Sequence, residues 1–147
     1  MENNEKAHSV TAKDVMDYIN INDRFCKNND IQLVEVTEEY SKAVLNIHPY
    51  HMNSKGVVQG GAIFTLCDLA FAGIANSSNN AMLAMNASIS YLRPGLGKTL
   101  TAIARKINRG KRTGVYEADV TDDNGKLIAH AVITGFDTGN VLIGENK

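Results

Sequence analysis

The stretch GAIFTLCDLAFAGIAN, residues 61–76, decides the fold of this chain. Its apolar residues point in every direction around a helical wheel, which predicts a helix that is buried on every side. The preceding residues, 48–61, contain Pro, Asn, Ser and Gly and are therefore expected to form a loop that leads into this helix. A helix of this kind must be enclosed by other parts of the chain.

Six strand-like segments flank the central helix, two before it and four after it. Turn residues such as Pro94-Gly95 and Asp123-Asn124-Gly125 separate them, and the short connections predict antiparallel neighbours. A long antiparallel sheet beside an apolar helix predicts an α+β fold in which the sheet curls around that helix. The predicted strands are residues 31–36, 42–48, 82–92, 99–107, 114–121 and 126–136.

Length and pattern together favour a single domain over residues 1–147. An N-terminal helical region is expected at about residues 9–29, where residues 9–22 have a helical spacing of apolar side chains and Thr11 can cap the helix. The core is expected over about residues 30–137, and residues 138–147 are expected to form a loose tail.

Composition and charge argue against several classes of function. The net charge of -1 gives no bulk attraction to nucleic acid or to an anionic membrane. The polar start of the chain lacks the features of a signal peptide, and no run of about 18 apolar residues is present. Cys26 and Cys67 form neither a disulfide framework nor a metal-binding spacing. A cytoplasmic protein without a metal site is therefore expected.

Asp68 is the one charged residue within the central apolar segment. Burying a carboxylate is costly unless it is paired or protonated. A buried acid whose pKa is raised is a common general base or nucleophile. In the alternative interpretation, Asp68 faces a solvated groove or forms a hydrogen bond with the sheet, and neither arrangement needs a catalytic role.

Gly60 and Gly61 open the same helix, where the first backbone N–H groups have no partner within the helix. Donors at the positive end of the helix dipole can stabilise an oxyanion, although a glycine-rich helix start is also common by itself. Gly60 precedes Asp68 by eight residues, about 12 Å along a helix. The two groups therefore cannot contact one carbonyl group within a single chain. If they act together, the site lies between two subunits.

Three segments resemble the hotdog-fold thioesterases. They are NSKGVVQGGAIFTLCDLAFA (53–72), ISYLRP (89–94) and RGKRT (109–113), within about residues 30–137. The phenylacetate-pathway and 4-hydroxybenzoyl-CoA thioesterases are the most similar group. The resemblance implies a hotdog fold, with an antiparallel sheet wrapped around one long central helix. It also implies hydrolysis of an acyl-CoA thioester without a cofactor, since CoA is part of the substrate. Catalysis is then expected across a dimer interface, in dimers that pair into a homotetramer.

The same resemblance implies roles for individual residues. Asp68 would be the general base or nucleophile, the Gly60 N–H would be the oxyanion donor, and Asn53 would position water or substrate. Gln59 and Gly61, at the same helix start, are expected to bind the substrate. The family usually has histidine where this chain has Gln59. Glutamine can donate a hydrogen bond but cannot transfer protons near neutral pH.

A basic loop, residues 108–113, joins two of the predicted strands. Its three cations suit the phosphates of CoA, whereas a run of this kind is most often a solvated hairpin tip. By resemblance, this loop borders the CoA site together with two residues near the end of an earlier strand. The expected CoA contacts are Tyr91, Arg93, Asn108, Arg109, Gly110, Lys111, Arg112 and Thr113.

Two other functions remain open at this point. A hotdog hydratase or dehydratase would act on similar thioesters, but its chemistry needs a loop histidine paired with the helix acid, and Gln59 stands in its place. A non-catalytic acyl-CoA binding or sensing domain would not need Asp68. The acyl group is not defined by the sequence, although Met82, Leu83 and Phe64 favour an apolar cavity.

Overall fold

A computed structural model describes residues 8–146 as three helices, a short 3₁₀ turn and one six-stranded antiparallel sheet. The elements are α1 Ala12–Asn22, α2 Arg24–Asn28, β1 Ile31–Val36, β2 Tyr40–Asn46, the 3₁₀ turn Pro49–His51, α3 Gly60–Ala75, β3 Asn80–Tyr91, β4 Thr99–Arg109, β5 Thr113–Thr121 and β6 Leu127–Val141. Most of the polar start of the chain lies outside the described residues. Within them, no helix is long and apolar enough to span a membrane.

The sheet has the order β1-β2-β4-β5-β6-β3, so β1 and β3 are its edge strands. Helix α3 contacts all six strands, which requires the sheet to curl around it. Small side chains permit this close packing, because alanine occupies six of the fully buried strand positions. These are Ala43, Ala102, Ala104, Ala118, Ala129 and Ala131.

Gly73 marks the point where α3 lies closest to the sheet. A Cβ there would lie 2.8 Å from the Ser41 hydroxyl and 2.9 Å from a methyl group of Leu33. Ser41 is fully buried, and its hydroxyl donates a hydrogen bond to the carbonyl of Ala70 in α3. Glycine is therefore required at this position for the helix to sit against β1 and β2.

The N-terminal helical region consists of two helices rather than one. Thr11 is the N-cap of α1 and forms a capping box with Asp14. Asp23 ends α1, and its side chain accepts a hydrogen bond from the Cys26 N–H at the start of α2. Helix α2 contains only five residues, which is too short for a helical period to be visible in the sequence.

The sheet continues past the boundary that the sequence predicts near residue 137. Strand β6 ends at Val141, which pairs with Asn80 of β3. Beyond the strand, the side chain of Asn79 donates a 3.0 Å hydrogen bond to the Ile143 carbonyl and accepts one of 2.8 Å from its N–H. The segment expected to be a loose tail is thus held against the sheet as far as Ile143.

Candidate active site

Gly60 begins α3 at the edge of a groove of about 320 Å³. The groove lies between the loop that precedes α3, the first turn of α3, and the end of β3 with the residues that follow it. Its lining includes Asn53, Gly60, Tyr91 and Arg93. The structure therefore brings together, in what we call the Gly60 groove, residues that the sequence predicts separately for catalysis and for CoA binding.

The Gly60 N–H is the uncommitted donor at the start of α3. Within residues 8–146, no backbone or side-chain acceptor receives it. Gln59 is the N-cap, and its side-chain oxygen accepts a hydrogen bond from the N–H of Gly61. The Gly61 donor is therefore occupied. Of the two glycines, only Gly60 offers a free N–H at the positive end of the helix dipole.

Tyr91 packs directly against Gly60. Its hydroxyl donates a 3.0 Å hydrogen bond to the Gly60 carbonyl. A Cβ at position 60 would lie 3.2 Å from the Cζ atom of the tyrosine ring, so this close approach depends on glycine. The contact holds the end of β3 against the first turn of α3.

Asn53 organises the loop that precedes α3. Its side-chain oxygen accepts hydrogen bonds from the N–H groups of Lys55, at 2.9 Å, and Val57, at 3.3 Å. The Asn53 N–H donates to the Val57 carbonyl at 2.8 Å. With its oxygen committed to the loop, Asn53 has its side-chain NH₂ group to offer to a ligand in the Gly60 groove.

Asp68 lies on an exposed face of α3. Nine residues of the helix are buried, but Gly61, Phe64 and Asp68 are exposed in the single chain. The prediction that this helix is buried on every side is therefore wrong for the single chain. An apolar helical wheel does not distinguish a face that packs on the sheet from an apolar face that another molecule can cover.

The protein environment nevertheless raises the pKa of Asp68. The main cause is loss of hydration among the surrounding groups, and the nearby Asp23 carboxylate adds to it by repulsion. Solvent reaches the side chain, but the neighbouring groups exclude part of its hydration shell. A carboxylate with a raised pKa on an otherwise apolar face can serve as a base or a nucleophile.

Cys67, which precedes this carboxylate, is a core residue. Its side chain is buried, and burial raises the pKa of the thiol to about 12. The thiol therefore remains protonated at neutral pH and is a poor nucleophile.

Neither Asp68 nor the basic loop reaches the Gly60 groove within one chain. Asp68 is two helical turns beyond Gly60 in α3, about 12 Å along the axis. In the β3–β6 ladder, Tyr91 pairs with Ala129 while Met82 pairs with Asp137. The basic loop adjoins Asp137 and therefore lies at the far end of β3 from Tyr91, about 30 Å away.

The residues of the basic loop differ in their availability to a ligand. Arg109 forms an ion pair with Asp137, and both side chains are largely buried. Lys111 and Arg112 are exposed at the tip of the hairpin. The Gly110 N–H donates to the Thr113 carbonyl at 2.8 Å and closes this turn. The loop thus contains one arginine that stabilises the fold and two exposed cations.

Arg93 and Asn108 also occupy different surfaces. Arg93 is exposed beside the Gly60 groove, and its guanidinium donates a 2.8 Å hydrogen bond to the Leu127 carbonyl. Asn108 is the first residue of the basic loop and is exposed near the end of β4.

A second pocket, of about 430 Å³, lies on the other side of the first turn of α3. The sequence does not indicate it. Gln59 and Gly61 line it together with two aromatic residues, Phe25 of α2 and Tyr50 of the 3₁₀ turn. No motif connects these segments, and an aromatic residue in a short loop or helix is an ordinary feature of a sequence. Only the fold brings them together.

The expected apolar cavity of Met82, Leu83 and Phe64 does not form within one chain. Met82 is buried in the core, where its sulfur lies 3.7 Å from the Tyr116 hydroxyl. Leu83 is 66% exposed on the edge strand β3, and Phe64 is 39% exposed on α3. Met82 and Leu83 point to opposite faces of the sheet because side chains alternate along β3, and Phe64 lies on a different element, α3.

Residues 55–129, which include Gly60, Asp68 and Tyr91, match the family model of the thioesterase superfamily. The chain belongs to this superfamily. Two relatives of this thioesterase match it over most of its length. Acyl-coenzyme A thioesterase PaaI of Escherichia coli is 32% identical over 125 residues, which cover 84% of this chain and 89% of PaaI. A provisionally named esterase of Archaeoglobus fulgidus is 37% identical over 124 residues, which cover 84% of this chain and 80% of that protein.

Solved structures confirm the predicted hotdog fold of this thioesterase. The structure of E. coli PaaI superposes with a TM-score of 0.83 and 29% identity, covering 92% of this chain and 95% of PaaI. A hypothetical thioesterase of Streptococcus pneumoniae, solved with coenzyme A, has a TM-score of 0.69 and 25% identity, covering 74% of this chain and 85% of that chain. The central helix within a curled antiparallel sheet is therefore the family architecture.

Proposed function

We propose that this thioesterase hydrolyses an acyl-CoA thioester to the free acid and CoA, at a site shared by two subunits. Asp68 of one subunit is the general base or nucleophile, and the Gly60 N–H of the other is the oxyanion donor. The observation that carries the proposal is the uncommitted Gly60 N–H in a groove with Asn53, Tyr91 and Arg93. The activity in the name of E. coli PaaI and the coenzyme A in the S. pneumoniae structure support the choice of substrate.

The reaction needs few protein groups. With Asp68 as general base, the carboxylate takes a proton from water as the water oxygen bonds to the carbonyl carbon. The carbonyl electrons move onto oxygen, and the Gly60 N–H stabilises that charge. Collapse of the intermediate breaks the C–S bond, and the proton on Asp68 passes to the departing CoA thiolate. With Asp68 as nucleophile, the carboxylate instead bonds to the carbonyl carbon, the C–S bond breaks, and the CoA thiolate leaves a mixed anhydride behind. Water then hydrolyses the anhydride to the free acid and the Asp68 carboxylate, and the proton that this step releases neutralises the thiolate.

The surface of the single chain supports a two-fold dimer. Phe64 and Asp68 lie on the exposed face of α3, and β3 is an edge strand with an unpaired side. On β3, Leu83 and Met85 are 66% and 61% exposed. An open edge that displays large apolar side chains is normally covered by another chain. Pairing of two copies along this edge would cover both features.

Such pairing also explains how the basic loop could serve the site. If two β3 strands pair antiparallel about a point near their centres, Tyr91 of one subunit faces the Met82 end of the partner strand. The basic loop of the partner then lies about three strand spacings, roughly 15 Å, from the Gly60 groove. An extended ligand such as CoA can bridge this distance. The association of dimers into a homotetramer remains a prediction.

The hydratase alternative requires a histidine that is free to transfer protons. His51 is the histidine that lines the pocket beside Gln59. It is buried, its Nδ1 accepts a 2.9 Å hydrogen bond from the His48 N–H, and its Nε2 donates a 2.6 Å hydrogen bond to the Asn29 carbonyl. Both ring nitrogens are committed to the backbone, so this ring is structural, and thiol-ester hydrolysis is favoured.

A thiol-release assay over a panel of acyl-CoA substrates tests the proposal. Wild-type protein should release free CoA, and Asp68→Asn should lose at least about 100-fold in kcat while still binding CoA. Asn53→Ala should lose less, because it removes a positioning group only. Loss of enoyl-CoA absorbance without thiol release would identify a hydratase instead. Binding without turnover of any substrate would identify a sensing domain.

A further inference from the structure

The pocket beside Gly61 combines aromatic and aliphatic side chains with the uncharged polar side chains of Asn29, Gln59 and Thr65 and the ring of His51. The lining of the Gly60 groove differs from it in containing the cation of Arg93. Phe25 and Tyr50 form part of the walls of the pocket beside Gly61 and are 64% and 63% exposed, although large aromatic side chains are usually buried. Ile31 and Ala62 also line it. Among the described residues, no Asp, Glu, Lys or Arg contributes to its lining. We call it the aromatic pocket.

Tyr50 stacks on a histidine that itself makes polar contacts. Its ring stacks on His48 with centroids 4.9 Å apart and planes 12° from parallel. His48 contacts the Asp30 carboxylate through Nε2 at 2.7 Å, and Asp30 also accepts a 3.0 Å hydrogen bond from Asn46. His51 ties the same 3₁₀ turn to the end of α2 through the Asn29 carbonyl. The exposed tyrosine therefore lies on a turn that is tied to the residues between α2 and β1.

The two pockets lie on opposite sides of the first turn of α3, and a thioester at Gly60 has two arms. The CoA arm carries phosphates and suits the Gly60 groove, whose lining includes Arg93. The acyl arm is uncharged and suits the aromatic pocket, which begins at the adjacent Gly61. The cation in one lining and the lack of a charged side chain among the described residues of the other thus match the charged and the uncharged arm of the substrate.

We propose that the aromatic pocket holds the acyl group and that Phe25 and Tyr50 select apolar acyl groups larger than acetyl. The inference rests on the proposed hydrolysis of acyl-CoA. Both residues lie outside residues 55–129, so membership of the superfamily does not assign this role to them. Specificity in this enzyme would then come from α2 and the 3₁₀ turn, while catalysis comes from α3.

The test compares kcat/KM for hexanoyl-CoA, benzoyl-CoA and acetyl-CoA. Phe25→Ala and Tyr50→Ala should each lower kcat/KM for the two larger substrates by about 10- to 100-fold and change that for acetyl-CoA by less than about twofold. Ala62→Leu, which fills the pocket, should also discriminate against the larger substrates. Tyr18→Ala is the matched control, because this partly exposed aromatic residue of α1 does not line the pocket.

Several results would overturn the inference. Equal losses on all three substrates, or no loss on any, would show that the aromatic pocket does not hold the acyl group. A change of oligomeric state in Phe25→Ala or Tyr50→Ala, measured by light scattering, would show that a second copy fills the pocket. Failure of the wild-type protein to hydrolyse any acyl-CoA would instead refute the proposed function, so the two failures are distinguishable.

Discussion

Replacing Gly60 with proline removes the proposed oxyanion donor and should leave the fold intact. Gly60 is the first residue of α3, where proline is favourable because the N–H has no partner within the helix. Gln59 has φ -61 and ψ 136, the extended conformation that a residue before proline adopts. The helix should therefore start at the same position in the variant.

The expected loss follows from what the substitution removes. Loss of a single oxyanion donor lowers kcat by about 10²- to 10³-fold, or about 2.7–4 kcal/mol in activation free energy. Proline also introduces a Cβ, which would lie 3.2 Å from the Cζ atom of Tyr91. Gly60→Ala introduces the same Cβ and retains the N–H. The difference in kcat between the two variants therefore isolates the contribution of the donor.

Mixing subunits then tests whether the site is shared. Asp68→Asn and Gly60→Pro should each be inactive alone. A mixed dimer has one site with both defects and one intact site. Unfolding and reassembly of an equimolar mixture makes half of the dimers mixed, so about a quarter of wild-type thiol release should return.

Two outcomes would contradict this reasoning. If Gly60→Pro and Gly60→Ala lose the same activity, the N–H is not the donor and crowding of Tyr91 accounts for the loss. If well-folded, demonstrably mixed dimers recover no activity, each subunit builds its own site. Circular dichroism and light scattering establish the folding and the mixing.

Four further predictions concern charge. Asp68→Asn should raise the melting temperature at neutral pH, because an acid whose pKa is raised in the folded state destabilises that state when it ionises. The gain in melting temperature should disappear by about pH 3, below the usual pKa of aspartate. A gain that persists at this pH would have another cause. Asp23→Asn keeps the side-chain oxygen that caps α2 but removes a charge that raises the pKa of Asp68. The acidic limb of the pH profile of kcat/KM should therefore shift to lower pH. An unchanged limb would contradict the coupling between the two carboxylates. Arg112→Ala should raise KM for an acyl-CoA far more than for an acyl thioester that lacks the nucleotide, and equal effects would mean that the loop does not contact CoA. As its matched comparison, Arg109→Ala should instead lower the free energy of unfolding by about 1–3 kcal/mol, measured by denaturant titration. The reason is that Asp137 loses its cationic partner and keeps only its hydrogen bonds from Asn80 and Gly139.

The central helix and the sheet can be predicted from the sequence because their signals are local. The apolar segment that becomes α3 and the period-two segments that become the strands are regular over many residues. The limits of β1 are predicted to the residue, since Asp30 and Thr37 flank the strand-like segment IQLVEV. The irregularity between Leu33 and Glu35 is not predicted. The division of the N-terminal helical region into α1 and α2 is not predicted, because a five-residue helix shows no period of its own. The end of β6 is not predicted either, because Gly139 interrupts its pattern.

The same distinction between local and long-range signals applies to the residues of the candidate site. The role expected of the Asp68 carboxylate and the free N–H expected at Gly60 follow from the residues around them and from the resemblance to a family. The commitment of Arg109 to an ion pair depends on Asp137, which is 28 residues away and becomes its neighbour only when β5 and β6 pair. No local pattern records such a contact.

Only the tertiary structure decided which face of α3 is covered and what lies beside its first turn. The sheet covers the side of the helix that carries the buried residues and leaves Asp68 exposed, a choice that an apolar segment does not encode by itself. Phe25 and Tyr50 come from separate segments and reach the same pocket because α2 and the 3₁₀ turn both pack beside α3. Sequence periodicity determines the elements, whereas the curl of the sheet determines which distant side chains meet.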